Sequence, residues 1–451
     1  MDKSSPSVRF LRRNGAAILL TGLLFWLMYA VVFNFRLDIT ASDYSTHMAW
    51  AIGMSKQRII ATFYDGSERL WHICVNFVFS HITRNTWKAA ALVTAAADAS
   101  AYFLVFKIWD RALPEKLPRW LFAILTACVF VVSSLTFPGG NFYIGRSAVN
   151  TWHNPTNIMV RPFAAAVFYM TVNIYNRRRY NQHTALVFPA EDGRDFAFSG
   201  GFWASFREPV YTKAELVLYP LCLLFSTYAK PSFLQFFAPA ILVFCLIDVI
   251  RTKGRLFPFC LKLALAYLPA ALILLIQFFG YFGDGISTGA AAAAETTTDA
   301  AASWVSGGIA VYFLRSDFSG LGEILLVTAR SLFSVAYPCA FPLFILLIAP
   351  RRGMGSAVGR LAWIGTVIAL VETWLLHETG ARASHGNFLW GYYLATWMLW
   401  TAAIGQYAVL IQEKTLSGRL ARWGGTAFLL WHLACGVCYV TRVLQTCDFY
   451  F

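Results

Sequence analysis

The chain has 451 residues, 58% of them hydrophobic and only 13% charged, with a mean hydropathy of +0.55. A soluble domain carries about twice that share of charge, so a water-soluble globular protein is excluded. The net charge of +14 does not point to nucleic acid, because the bases sit in short clusters between apolar runs, as the positive-inside rule expects.

Apolar runs of roughly 17 to 27 residues recur from end to end, long enough to cross ~30 Å of hydrocarbon as helices. The expected fold is all-α, a single polytopic transmembrane domain. Span 1 covers about 16–33, with Arg9, Arg12 and Arg13 before it and no small-residue cleavage site in the usual place after it. It reads as a retained signal anchor. The stretch 35–88 follows, carrying Asp38, Asp43, Asp65 and Glu68 with Trp50, Trp71 and Trp87 spaced along it. Within it a helical piece is expected over 44–56 and a second, short and apolar, over 67–80. The second piece is interrupted by Glu68, Arg69, His72 and Asn76.

Charge decides whether that piece crosses the bilayer. If it does not, the remaining spans are 89–106, 120–137, 159–175, 214–229, 232–250, 257–279, 325–349, 358–376, 388–411 and 424–441. Every large basic cluster then falls on the side of the N-terminus: Lys107 to Arg119, Arg177 to Arg179, Arg251 to Arg255, Arg351 to Arg360 and Lys414 to Arg422. If it crossed, all of these would lie outside. The consistent bias predicts eleven spans, 67–80 as a juxtamembrane helix in the first outer loop, a cytoplasmic N-terminus and an external C-terminus. A bacterial inner membrane is the expected location. Two further extramembrane pieces are expected: 176–213 in the cytoplasm, and 280–323 outside, whose alanine run has little to bury. The nine cysteines lie mostly inside apolar runs, without the spacing of a disulfide framework or zinc site. No repeat and no P-loop is present.

With this topology the unusual polar groups gather on the outer side. They are Asp38, Asp43 and His47 after span 1; Asn141, Arg146, Trp152, His153, Asn154 and Arg161 around the start of span 4; Lys230 in the turn between spans 5 and 6; and Glu378, Arg382, His385, Asn387 and Trp390 between spans 9 and 10. Ionisable groups beside hydrocarbon are costly unless paired or used. Each also has a plainer role. Asp43 suits the N-cap of the helix that follows it, and Asn154 with Pro155 behind it suits the N-cap of span 4. His47, four residues after Asp43, suits a simple interfacial pair. Lys230 suits snorkelling to the interface, and Glu378, Arg382 and His385 suit a salt-bridged lid as well as a ligand-facing loop.

One apolar N-terminal span, an early outer acid (Asp43-Tyr44 with His47 behind it), the run Ser67-Glu68-Arg69-Leu70-Trp71-His72 opening a short helix, and many further spans together resemble the GT-C superfamily of polyprenyl-phosphate-dependent membrane glycosyltransferases. The likeness covers the N-terminal quarter in arrangement and the rest in number of spans. The short helix lacks the proline-rich opening of protein mannosyltransferases, and no tryptophan–acid motif of the oligosaccharyltransferase kind is present, so the resemblance implies a superfamily and not a substrate. It implies transfer of a sugar from a polyprenyl-phosphate donor to an envelope glycan or lipid acceptor, by direct inverting displacement. Asp43 matches the acid of the first loop, with Asp38 the alternative. His47 or His153 would touch sugar or acceptor; Lys230 and Arg382 would hold the phosphate, with Arg146 and Arg161 in reserve. Glu378 and His385 would orient the sugar, with Asn154 and Asn387 beside them and Trp152 and Trp390 stacking on its face. A divalent metal is compatible with these acids and histidines, though no ligand spacing demands one. A polysaccharide polymerase is the alternative within enzymes, and a lipid-linked sugar transporter or flippase the alternative outside them.

Overall fold

A computed structural model describes residues 6–38, 42–65, 67, 69–112, 117–134, 149–180, 206, 209–287, 309–314, 318–378 and 387–446. Helix α1 runs Pro6–Asn34 and ends in a 3₁₀ turn, Phe35–Leu37. Three short helices follow: α2 (Tyr44–Ile52), α3 (Lys56–Asp65) and α4 (Leu70–Val78), the last closing in a π turn at Phe79–Thr83. The bundle continues with α5 (Thr86–Ala112), α6 (Arg119–Cys128), α7 (Pro155–Tyr180), α8 (Lys213–Ala229), α9 (Ser232–Arg251), α10 (Phe257–Leu265) and α11 (Leu268–Ser287). After strand β1 (Ile309–Val311) come α12 (Leu321–Ala336), α13 (Ala340–Ile348), the single turn α14 (Pro350–Gly353) and α15 (Ala357–Leu375). Strand β2 (Leu376–Glu378), α16 (Asn387–Leu410), α17 (Leu416–Leu420) and α18 (Thr426–Thr446) complete the chain, with a π turn between the last two.

The protein is a helical, polytopic membrane protein. Among the described residues, six helices are long and apolar enough to cross a bilayer, seven if α10 and α11, bent by 54°, form one span. All eleven expected segments carry helix, but several fall short of that standard for identifiable reasons. Helix α6 has ten residues, about 15 Å at helical rise. Helix α8 has 17 residues with Pro220 inside. Helix α16 has 24, but is rich in Trp, Tyr and Thr and sits in the protein interior, where Tyr392, Trp397 and Trp400 are fully buried. Together α4 and its π turn cover Leu70–Thr83, about 20 Å at helical rise. They turn Trp71, His72 and Val75 inward.

Why the helices pack as they do follows from side-chain size. Alanines 89, 90, 91, 95, 97, 99 and 101 of α5 are buried, and small residues let helix backbones approach closely in a bilayer. Leu19, Leu23 and Trp26 of α1 and Leu242, Leu246 and Ile250 of α9 stay exposed, as a lipid-facing surface requires.

Polar contacts sort the helix ends into two groups. At one end Arg13, Lys107 and Arg119 surround Asp110. There Arg177 pairs with Glu215, Arg352 with Glu413, and Arg360 with Asp248 at 2.9 Å and with the Tyr175 hydroxyl at 3.2 Å. At the other end Asn34 donates to the carbonyls of Val443 and Leu444, and α2, the start of α7, the α8–α9 turn and the start of α16 meet. The basic clusters thus share one end of the bundle.

The segment 280–323 is not all irregular: Ile309–Val311 pairs antiparallel with Leu376–Glu378, Ile309 opposite Glu378. Tyr312 stacks on His377 with ring centroids 4.1 Å apart. The alanine run 290–294 and most of 176–213 lie outside the described residues.

Candidate functional site

The site is built from the first turns of two helices that begin beside each other. Asp43 stands at the N-cap position of α2, yet its side chain makes no cap hydrogen bond. Its backbone amide donates to the His153 carbonyl at 3.3 Å. Its carboxylate accepts from Asn154 Nδ2 at 2.8 Å through Oδ2. Capping is therefore not what the Asp43 side chain does. Asn154 does cap: its Oδ1 accepts from the Asn157 amide at 2.9 Å and from Thr156 Oγ1 at 3.0 Å. With Pro155 as the first residue of α7, this is the expected proline-opened, asparagine-capped start.

The chain of contacts continues across the bundle. Lys230, in the turn between α8 and α9, donates from Nζ to Thr156 Oγ1 at 3.0 Å and lies 5.0 Å from the centroid of the Trp390 ring, at the start of α16. His153 packs on the same indole at 5.5 Å. A continuous path of side-chain hydrogen bonds therefore joins the cation to the carboxylate: Lys230, Thr156, Asn154, Asp43. Lys230 is only 6% exposed, so it does not snorkel into water.

A second layer lies against the first. His47 Nδ1 and His72 Nε2 share a hydrogen bond of 2.9 Å between α2 and α4, and Trp50 and Trp71 pack their edges and faces around the two imidazoles. One imidazole donates and the other accepts, so this bond cannot form when both are charged. Burial pushes the His72 pKa down to about 3, with Arg69 and Lys230 adding to the shift. Burial likewise drives His47 well below the ordinary histidine range, with His72, Lys230 and Arg69 contributing. His153 is also lowered by burial; Asp43 opposes the shift and Lys230 reinforces it. The three histidines are therefore neutral donors and acceptors. Beneath them Tyr44 is anchored between Phe35 and Trp71, and Trp71 Nε1 donates to Thr94 Oγ1 at 3.0 Å. This aromatic layer fixes α2, and so Asp43, on α5.

Asp43, His47, His153, Asn154, Lys230 and Trp390 are thus brought together. Others stand elsewhere. Arg161 is not a reserve for phosphate: it is 1% exposed, donates to Asp98 Oδ1 at 2.7 Å inside the bundle and lies over Trp397. Its charge is already matched. Trp152 is not a stacking surface either; it is 1% exposed and packs against Tyr439 of α18. Asp38 is exposed just after the 3₁₀ turn, and Glu378 is buried at the end of β2. Asn387 opens α16, but its side chain, like Arg146, Arg382 and His385, lies outside the described residues.

Sequence reasoning missed Thr156 and the partnership of His72. Thr156 follows a cap and a proline and carries no signal of its own. His72, one residue after Trp71, was visible as a polar break in an apolar helix and as the end of the run that opens it, without its partner His47.

Among the described residues, no group of three or more His, Cys, Asp or Glu side chains is placed to hold a metal ion. Comparison with family models, with characterised proteins and with solved structures finds no match.

Proposed function

We propose that the protein is a membrane glycosyltransferase of GT-C-like architecture in a bacterial inner membrane. It would have eleven spans, a cytoplasmic N-terminus and an external C-terminus, and would move a sugar from a polyprenyl-phosphate donor to an envelope glycan or lipid acceptor at the outer face. The observation that carries this reading is the hydrogen-bonded path from Lys230 through Thr156 and Asn154 to Asp43. It holds a carboxylate and a cation at fixed positions on rigid helix starts, at the end of the bundle away from the basic clusters.

The chemistry uses both ends of the path. Asp43 is committed to Asn154 through Oδ2, while Oδ1 accepts no hydrogen bond among the described residues. Oδ1 takes the proton of the acceptor hydroxyl as that oxygen attacks the anomeric carbon from the face opposite the leaving group. The bond from the anomeric carbon to the phosphate oxygen breaks with inversion, and the lipid phosphate departs with the electron pair, its charge met by Lys230. The neutral imidazoles of His47 and His153 offer hydrogen bonds to sugar hydroxyls, and Trp390 offers an apolar face.

The test is transfer of label from a panel of radiolabelled polyprenyl-phosphate sugars by the purified protein in nanodiscs, with envelope extract as acceptor. Asp43→Asn, which keeps the contact with Asn154 available, is expected to fold normally and to lose transfer by at least ~100-fold, the usual scale for removing a general base. Equal transfer by both proteins would remove Asp43 from the reaction. No transfer with any donor would return the choice to polymerase or transporter.

A further inference from the structure

We infer that the opposite, basic end of the bundle carries a binding site for an anionic phospholipid, held by Arg419 and Arg422 above the lipid-facing side of α18. This site is independent of the outer cluster and of the activity proposed for it.

The sequence around it is strongly asymmetric. Residues 350–356 and 411–425 contain five bases, Arg351, Arg352, Lys414, Arg419 and Arg422, against one acid, Glu413. That acid is already taken by Arg352. The structure joins the two segments through the Arg352–Glu413 pair; Ser417 Oγ also donates to the Ile348 carbonyl, just before the first segment, at 2.7 Å, and within the second Arg422 Nη1 donates to the Ile411 carbonyl at 3.1 Å. Gly424 lets the π turn close on Phe344, whose ring leaves no room for a Cβ there. Arg419 and Arg422 remain exposed.

What separates this patch from an ordinary charged loop is the apolar row attached to it. Leu416, Leu420 and Trp423 are 65%, 43% and 82% exposed and recur at helical spacing on the face that carries Arg419. Below Trp423 the row continues down α18 through Leu430 and Val437, 58% and 54% exposed, each seven residues on. Two cations therefore stand at the head of a continuous apolar track about 20 Å long, at helical rise over the fourteen residues from Trp423 to Val437. A free anion has no use for the track and a neutral lipid has no use for the surplus charge. A phospholipid with a net negative headgroup uses both: its phosphate at the two guanidinium groups and an acyl chain along Trp423, Leu430 and Val437.

The test is native mass spectrometry of the delipidated full-length protein, titrated with phosphatidylglycerol or phosphatidylcholine of the same acyl chains. Wild type is expected to bind phosphatidylglycerol at least ~10-fold more tightly, and millimolar inorganic phosphate should not displace it. Loss of one basic side chain at an anionic headgroup is expected to weaken binding about 5-fold and of two about 30-fold. Arg419→Gln should therefore show the first effect and Arg419→Gln/Arg422→Gln the second, with phosphatidylcholine binding unchanged. The control pair Lys253→Gln/Arg255→Gln, in another exposed basic loop, should behave as wild type. Equal affinity of wild type for the two lipids, a headgroup preference that survives the double substitution, or ready displacement by phosphate would each overturn the site.

Discussion

Asn154 is the side chain on which the site around Asp43 depends, and Asn154→Asp tests that directly. The substitution keeps the oxygen that accepts from the Asn157 amide and Thr156 Oγ1, so the cap of α7 survives. It replaces the donor to Asp43, 2.8 Å away, by a second carboxylate oxygen. Losing a hydrogen bond to a charged group costs about 1.5–3 kcal/mol. Two carboxylates with charge centres ~4 Å apart repel by about 4 kcal/mol at an effective dielectric near 20. Relaxation recovers part of this, so a loss of roughly 3 kcal/mol or more is expected at pH 8. The loss should shrink as pH falls, because one shared proton turns the repulsive pair into a hydrogen bond. Asn154→Ala loses the hydrogen bond and the cap, about 1 kcal/mol more, at every pH. Denaturant unfolding in mixed micelles, followed by tryptophan fluorescence and referred to wild type at each pH, separates the two variants. If Asn154→Asp shows the same pH-independent loss as Asn154→Ala, the carboxylate–amide contact is not what holds Asp43 in place.

The histidine pair gives a second pH signature. With the His72 pKa depressed to about 3 against an ordinary value near 6.5, the unfolded chain binds a proton that the folded chain refuses. Stability is then complete above pH ~6.5 and falls by about 1.4 kcal/mol per unit below it, reaching about 2 kcal/mol by pH 5 from His72 alone. His72→Gln should flatten that slope in an acid titration of unfolding; an unchanged slope would show that His72 is not neutral in the fold. Inside the bundle, Asp98→Asn or Arg161→Met alone should each cost about 3–5 kcal/mol, because each strands a buried charge. Asp98→Leu with Arg161→Met should recover most of it, and a double variant as unstable as the sum of the singles would refute the pairing.

Much of the architecture was legible because a bilayer enforces it. Each apolar segment expected as a span carries helix, and among the described residues six or seven helices are long and apolar enough to cross a bilayer, where backbone groups have no other partner. The placement of basic clusters at one end was readable for the same reason. What sequence could not separate was polar residues that face each other from polar residues that face a site. Arg161 and Asp98 are sixty-three positions apart and nothing local announces their contact, so Arg161 looked available when it was spent. Trp152 shows the same failure with apolar surface: the family resemblance suggested that it stacks on a sugar face, and tertiary packing against Tyr439 claimed it instead. Asn154 was readable as a cap because capping is a local rule. Its second bond, to Asp43, comes from a fold contact across 111 positions.

The two ends of the bundle solve the problem of buried charge differently, and the difference bears on function. At the basic end four acids among the described residues, Asp110, Glu215, Asp248 and Glu413, are matched in direct ion pairs. Such pairs fix helices to one another and commit these four acids to packing. At the other end Asp43 and Lys230 are kept apart by two neutral side chains, Asn154 and Thr156, which hydrogen-bond to both. A direct pair would have been simpler if stability were all that was required, since it joins opposite charges at contact distance. Joined through Asn154 and Thr156 instead, the two charges are held at fixed positions without direct contact along this path, which is the arrangement the proposed transfer uses. Shortening the spacer so that the two charges meet, or removing either hydroxyl or amide, should leave the helices packed and the site silent.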